Sequence, residues 1–198
     1  MTVPDPFDHL VTLVAPESRA PMPGELAAVV QALRARFGPA VAAVLFYGSC
    51  LRLGTLDGVI DVYVLVDDAA PAAAHVPVDN GRTAFGGAIL ALAGRLLPPN
   101  VYHLSVAVGP RTVAVKAAVM SLAGFARGLG VAAFVPALWA RFAQPAVVLH
   151  ARDGAMAAAI DRLRARAVAT AAWHGAHLAP ARVAPLELWR RLFRATYG

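Results

Sequence analysis

The chain has 198 residues, a formal net charge of +6, 59% hydrophobic and 15% charged residues. That balance excludes a disordered polyelectrolyte and leaves room for one ordinary domain with a substantial core. No run approaches the roughly 20 consecutive apolar residues a bilayer span requires. Cys50 is the one cysteine, which excludes an intramolecular disulfide and a cysteine-built zinc cage. The first seventeen residues carry acids and prolines rather than a secretory signal pattern, so a cytoplasmic location is expected, free or peripheral on the inner membrane. The basic residues are nearly all arginine and are dispersed along the chain. Dispersal fits a base-composition bias or attraction to small phosphates better than a nucleic-acid footprint, so no nucleic-acid partner is expected.

In chain order, Leu26, Val29, Val30, Leu33 and Phe37 recur at helical spacing, and Gly38-Pro39 ends that helix. Residues 41–47 (Val-Ala-Ala-Val-Leu-Phe-Tyr) form a continuous apolar run of strand length, read as a buried strand that breaks at Gly48-Ser49. A short segment follows, with Gly54 and Asp57-Gly58 as turn signals, and Val59 to Val66 is a second buried strand with Asp61 inside it. Residues 67–82 are loop-like, and Thr83 to Leu97 is predicted helical, capped by Thr83 and stopped by Pro98-Pro99. Val101 to Val108 and Thr112 to Val119 are predicted strands joined in a hairpin by Gly109-Pro110-Arg111. Four helices are predicted after that: 121–128, 135–142, 153–177 and 185–197. The expected class is α+β: a mixed sheet with flanking helices over residues 1–122, followed by a mainly helical region over 123–198 packed on it.

The chemistry concentrates after the first strand. Gly48 lets the backbone approach a phosphate closely. Ser49 offers a hydroxyl and an amide to phosphate oxygens at the start of a helical turn. Asp61, on the next strand, is a hard oxygen ligand suited to Mg²⁺, with Asp57, Asp67 and Asp68 as the neighbouring carboxylates able to complete a metal site. Lys116 is the only lysine and lies within the apolar run 113–119. There it must snorkel, pair with an acid, or face a ligand such as phosphate. Cys50 reads as a small buried residue, and His174 and His177 as helix-surface histidines rather than a metal pair. Trp139, Trp173 and Trp189 read as core packing. The last helix, with Leu186, Leu188, Trp189, Leu192 and Phe193 beside Arg190, Arg191 and Arg194, reads as core packing or a membrane-surface contact.

Strand, Gly-Ser, helical turn and acid-bearing strand form the layout of the nucleotidyltransferase superfamily core. Within it the chain resembles, as a divergent bacterial relative, the mitochondrial-type phosphatidate cytidylyltransferases of the translocator assembly and maintenance family. The likeness rests on Tyr47-Gly48-Ser49, on Ile60-Asp61-Val62, and on residues 115–121 (Val-Lys-Ala-Ala-Val-Met-Ser, beside the family's Val-Lys-Tyr-Gly-Val-Val-Ser). Residues 140–147 (Ala-Arg-Phe-Ala-Gln-Pro-Ala-Val) and 97–102 (Leu-Pro-Pro-Asn-Val-Tyr) add to it. The resemblance implies transfer of a cytidylyl group from CTP to phosphatidate, giving CDP-diacylglycerol and pyrophosphate. It implies substrate contacts from Tyr47, Gly48, Ser49, Lys116, Ser121 and Arg141, catalytic roles for Asp61 and Lys116, and Mg²⁺ on Asp61. Tyr63 stands where the superfamily often carries a second acid. A soluble acceptor in place of the lipid, or a degenerate binding module, are the alternatives.

Overall fold

The computed structural model describes residues 5–67, 99–178 and 182–197. All but Asp67 of the loop expected at residues 67–82, and the helix expected at Thr83–Leu97, fall outside the described residues.

Asp5 caps helix α1 (Pro6–Ser18) by accepting the Phe7 amide hydrogen at 2.9 Å, with proline in the first turn where its missing N–H costs nothing. Helix α2 (Leu26–Phe37) follows and ends at Gly38, whose φ of 74° is the left-handed stop expected of glycine. Strand β1 (Val41–Tyr47) is buried along its whole length. After a one-turn helix α3 (Ser49–Leu53) comes β2 (Ile60–Val66), again almost fully buried. Strands β3 (Asn100–Val108) and β4 (Arg111–Ser121) form the expected hairpin. Its two-residue loop is Gly109-Pro110, with Gly109 at φ 59° and Val108 paired to Arg111. Then follow α4 (Leu122–Gly128), α5 (Ala137–Phe142), β5 (Val147–Ala151), α6 (Gly154–Leu178) and α7 (Pro185–Tyr197).

The strands make one five-stranded sheet in the order β3-β4-β2-β1-β5. It is mixed: β2 and β4 run parallel, the other neighbours antiparallel. One face carries Val44, Phe46, Ile60, Val62, Val64, Val115 and Val119 against Leu26, Val29, Leu33 and Phe37 of α2. The other carries Leu45, Tyr47, Tyr63, Leu65, Ala118 and Met120 against Phe125, Trp139, Phe142 and Ile160 of the later helices. A central strand covered on both faces must be apolar, which is why β1 reads as an unbroken hydrophobic run and β2 as one interrupted only at Asp61.

Two elements carry no expectation from the sequence. Strand β5 lies within the stretch read as helical, yet it pairs with β1 and is one edge of the sheet. The chain after residue 122 therefore completes the sheet as well as covering it. Helix α1 docks on α6 through polar contacts: Arg162 to Asp8 at 2.9 Å, Arg19 to Asp161 at 2.5 Å, and the buried Arg164 to Glu17 at 2.5 Å and to the Ser18 hydroxyl at 2.6 Å. At the far end, α7 turns its apolar stripe inward. Leu192 is buried, and Leu188 packs so closely on Gly175 that a methyl there would meet it at 2.7 Å. Core packing is thus the main use of that stripe, with Leu186 left exposed.

Candidate active site

The site is built from the sheet register. Tyr47 lies opposite Asp61, Asp61 opposite Lys116, and Lys116 opposite His103. Paired positions share a face, so one residue from each of four strands forms a row across the sheet. The face is that of the later helices. Tyr63, two residues beyond Asp61 on β2, is sealed by the rings of Phe142 at 5.0 Å and Phe125 at 6.2 Å. Asp61 and Lys116 are only partly buried, and His103 is exposed. The helical cover therefore stops between these two positions, and the sheet opens to solvent where its polar row begins.

Beside this row the chain leaves β1 through Gly48, at φ 90° and ψ −159°. A Cβ added there would sit 2.8 Å from Oδ2 of Asp61. Only glycine fits, both because L-residues avoid that φ and because the carboxylate fills the space. The bend also starts α3, where the Arg52 amide donates to the Gly48 carbonyl at 3.2 Å. Tyr47, Gly48, Arg52, Arg141, Gln144 and Pro145 enclose a cavity of about 340 Å³, within the size range of small-ligand pockets. Arg141 reaches into it from α5. One of its nitrogens donates to the Tyr63 hydroxyl at 3.0 Å, and its guanidinium lies 5.2 Å from the centre of the Tyr47 ring. Stacking and a hydrogen bond hold the guanidinium at the cavity wall.

The residues expected from the sequence divide accordingly. Tyr47, Gly48 and Arg141 share the cavity, and Asp61 touches Gly48 from the neighbouring strand. Lys116 is in register with Asp61, but among the described residues neither side chain closes an ion pair. Ser49 is exposed at the start of α3 and is not among the cavity-lining residues. Ser121 lies elsewhere. It is paired with Val66 at the other end of β2, and its hydroxyl caps α4 by accepting the Gly124 amide at 3.1 Å. It lies five positions along the strand from Lys116, about 16 Å at the usual rise, so it serves the helix start and not the row.

Of the carboxylates considered as metal partners, Asp67 is committed to Arg152 at 2.6 Å, and Asp57 accepts from the Thr55 hydroxyl at 2.8 Å while facing Arg111. Asp68 lies outside the described residues. Among the described residues no three His, Cys, Asp or Glu side chains gather as a metal cage. Mg²⁺ characteristically takes one or two protein carboxylates and completes its shell with phosphate oxygens and water. One half-open carboxylate set against a glycine bend fits that habit, and Asp61 is the residue that would hold the ion.

Cys50 is buried, its thiol against the Val59 carbonyl at 3.2 Å, as a structural residue would be. His174 stacks on the buried Trp139 at 4.8 Å, and Nδ1 of His177 lies 2.7 Å from the Trp173 carbonyl, so the two histidines belong to an aromatic cluster.

Sequence reasoning passed over Arg52, Gln144 and His103. Arg52 was signalled by its place one helical turn after Gly48. His103 was not signalled: the loop read from the sequence, Gly109-Pro110-Arg111, would set His103 opposite Ala117, whereas the two-residue loop of the structure sets Val108 opposite Arg111 and His103 opposite Lys116. Gln144 stands within the 140–147 likeness but was given no role there, and the turn after α5 that brings it to the cavity is placed by tertiary contacts. The Gln144 carbonyl accepts from Arg164 at 3.3 Å, and the Ala146 amide donates to Glu17 at 3.2 Å. No protein-family model matches the chain, and no curated protein matches it.

Proposed function

We propose that the chain is a nucleotidyltransferase that takes CTP with Mg²⁺ and transfers the cytidylyl group to phosphatidate, forming CDP-diacylglycerol and pyrophosphate. The observation that carries this reading is the close approach of Gly48 to the Asp61 carboxylate, in register with Lys116 and next to a cavity holding two arginines.

In this reading the backbone at Gly48 lies against the triphosphate, which a side chain would prevent. Arg141 and Arg52 offset phosphate charge from the cavity wall, and Lys116 supplies a compact ammonium from the other side of Asp61. Bound Mg²⁺ would neutralise the triphosphate and hold its phosphates for in-line attack. A phosphatidate oxygen attacks the α-phosphorus of CTP; the new P–O bond forms as the bond to the pyrophosphate oxygen breaks. The attacking phosphate is already ionised at neutral pH, so no strong general base is required, and positioning with charge stabilisation suffices.

The test is incubation of the purified chain with radiolabelled CTP, Mg²⁺ and phosphatidate in mixed micelles. Labelled CDP-diacylglycerol is expected, and Asp61→Asn should lower its formation by at least about a hundredfold. Undiminished formation in that variant would remove Asp61 from the reaction. Use of soluble phosphorylated acceptors in preference to the lipid would redirect the assignment to the second acceptor class.

A second reading has its own observation. Tyr63 occupies the position of a second acid, and its hydroxyl is already bound by Arg141. That arrangement suits a module that binds a nucleotide and does not turn it over. Calorimetric binding of CTP with Mg²⁺, combined with absent transfer to lipid and soluble acceptors alike, would favour it. Among the described residues no helix is long and apolar enough to cross a membrane. Access to phosphatidate would then be peripheral, from the cytoplasmic face of the inner membrane.

A further inference from the structure

The polar row continues beyond the residues that the proposed function uses. His103 lies on the edge strand β3, directly opposite Lys116. In an antiparallel pair such positions bring Cβ atoms to about 5 Å, close enough for two side chains to grip one small ligand. Among the described residues neither side chain has a hydrogen-bond or ion-pair partner. Two nitrogen-bearing groups thus stand side by side on an exposed face. The nearest carboxylate of the row, Asp61, sits one strand beyond Lys116.

Strands are spaced about 4.8 Å apart, so Asp61 has one basic group at a single strand's distance and a second at about 10 Å. On its opposite side, also one strand away, are Tyr47 and the Gly48 bend with the arginine-lined cavity. Asp61 therefore divides the site into two anion-attracting halves. A transfer between two phosphorylated substrates needs this division, because both phosphates must reach one point without occupying the same contacts. Around His103 the surface is open: Ser105 and Ala114 are exposed on the same face, and Val101, 47% exposed, lies two residues before it on β3. Such surroundings admit a group larger than phosphate, with an apolar portion beside the charge.

We propose that Lys116 and His103 form a phosphomonoester-binding subsite that seats the acceptor, leaving the Gly48–Arg52–Arg141 side to the nucleotide. This rests on the nucleotidyltransferase reading for its meaning, but its first test does not. With histidine-labelled protein, NMR titration with glycerol 3-phosphate, in the absence of CTP and metal, should shift the His103 ring resonances saturably, while glycerol should not. Disappearance of those resonances in His103→Gln identifies them, and Lys116→Gln should weaken the binding about tenfold. In the transfer assay, His103→Gln should raise the KM for phosphatidate about tenfold and leave the KM for CTP unchanged. A merely structural role for this exposed edge residue would move neither ratio.

An unshifted His103 ring together with an unchanged phosphatidate KM would overturn the proposal, and so would a rise in the CTP KM alone. A saturable shift in a protein that transfers nothing would keep the subsite and discard the transferase reading; transfer with His103 inert would do the reverse. Vesicles of phosphatidylcholine, with and without phosphatidate, separate the two sources of the phosphomonoester. His103-dependent binding confined to phosphatidate vesicles assigns the subsite to the lipid, whereas a response to glycerol 3-phosphate alone assigns it to a soluble ester.

Discussion

Strands β2 and β4 pass through two environments within a few residues. At Tyr63 and Ala118 the sheet lies under the rings of Phe125 and Phe142, and every position is apolar and buried. One pleat earlier, at Asp61 and Lys116, the same strands carry an acid and a base that are partly open to solvent and, among the described residues, bound to neither each other nor a neighbour. The opposite face shows no such change over these positions: Ile60, Val62, Val115 and Ala117 are all buried under α2. The difference teaches where stability and chemistry are divided. One end of a single face is left uncovered, and the polar groups gather there because only there can they keep their hydration.

Variants can press on that contrast, beginning with the covered end. Phe142→Ala removes a ring packed against Tyr63, Phe125 and Tyr47, and should cost about 3–5 kcal/mol in urea denaturation. A loss below about 1 kcal/mol would mean the layer is loosely packed. Glu17→Ala leaves the Arg164 guanidinium, whose side chain is 2% exposed, without its carboxylate. A loss of about 3 kcal/mol is expected by the same measurement, and transfer should suffer as well, since this clamp places the Gln144 wall of the cavity.

Gly48→Ala sits at the boundary. Its backbone strain is worth about 1–3 kcal/mol, and the added methyl must displace the Asp61 carboxylate. CTP binding should fall more steeply than stability, and calorimetry set beside denaturation checks the ratio. At the open end, Asp61→Asn and Lys116→Gln should change stability by no more than about 0.5 kcal/mol while abolishing transfer. A large destabilisation would make the row a structural feature.

The smallest effect is expected at His150 on β5. Partial burial, aided by the nearby Arg34 charge, holds its pKa below the ordinary 6.5. The native state thus resists protonation more than the unfolded chain does. The stability from the neutral ring is complete above about pH 6.5 and is lost as pH falls from there through the folded-state pKa. His150→Gln should flatten that part of the stability–pH profile, and a profile parallel to that of the parent chain would remove His150 as its cause.

Most of the sheet was legible in the residues. The apolar run 41–47 became β1, the run around Asp61 became β2, and the β3–β4 hairpin formed where it was read, but with a two-residue loop in place of three, which moves His103 from opposite Ala117 to opposite Lys116. Helix α1 was not legible, because its start signal, Asp5 before Pro6, is local while its docking depends on Arg162 and Arg164 far along the chain. Nor was β5, a five-residue strand between helices whose edge position is defined only by pairing with β1. Ser121 looked like a substrate contact through its motif; the capping geometry of α4 gives its hydroxyl another use.

By itself the sequence determined which backbone could bend at Gly48, which strand carried the acid, and that a lone lysine lay within an apolar run. These follow from local sterics and from the period of two along a strand. Only the tertiary structure decided that Asp61, Lys116, Tyr47 and His103 share one row, and that Arg141 arrives over Tyr47 from a helix nearly eighty residues beyond Tyr63. Strand order and the edge of the helical cover are set by how distant apolar faces find one another. A hydrophobic contact carries no record, in either segment alone, of the partner it will meet.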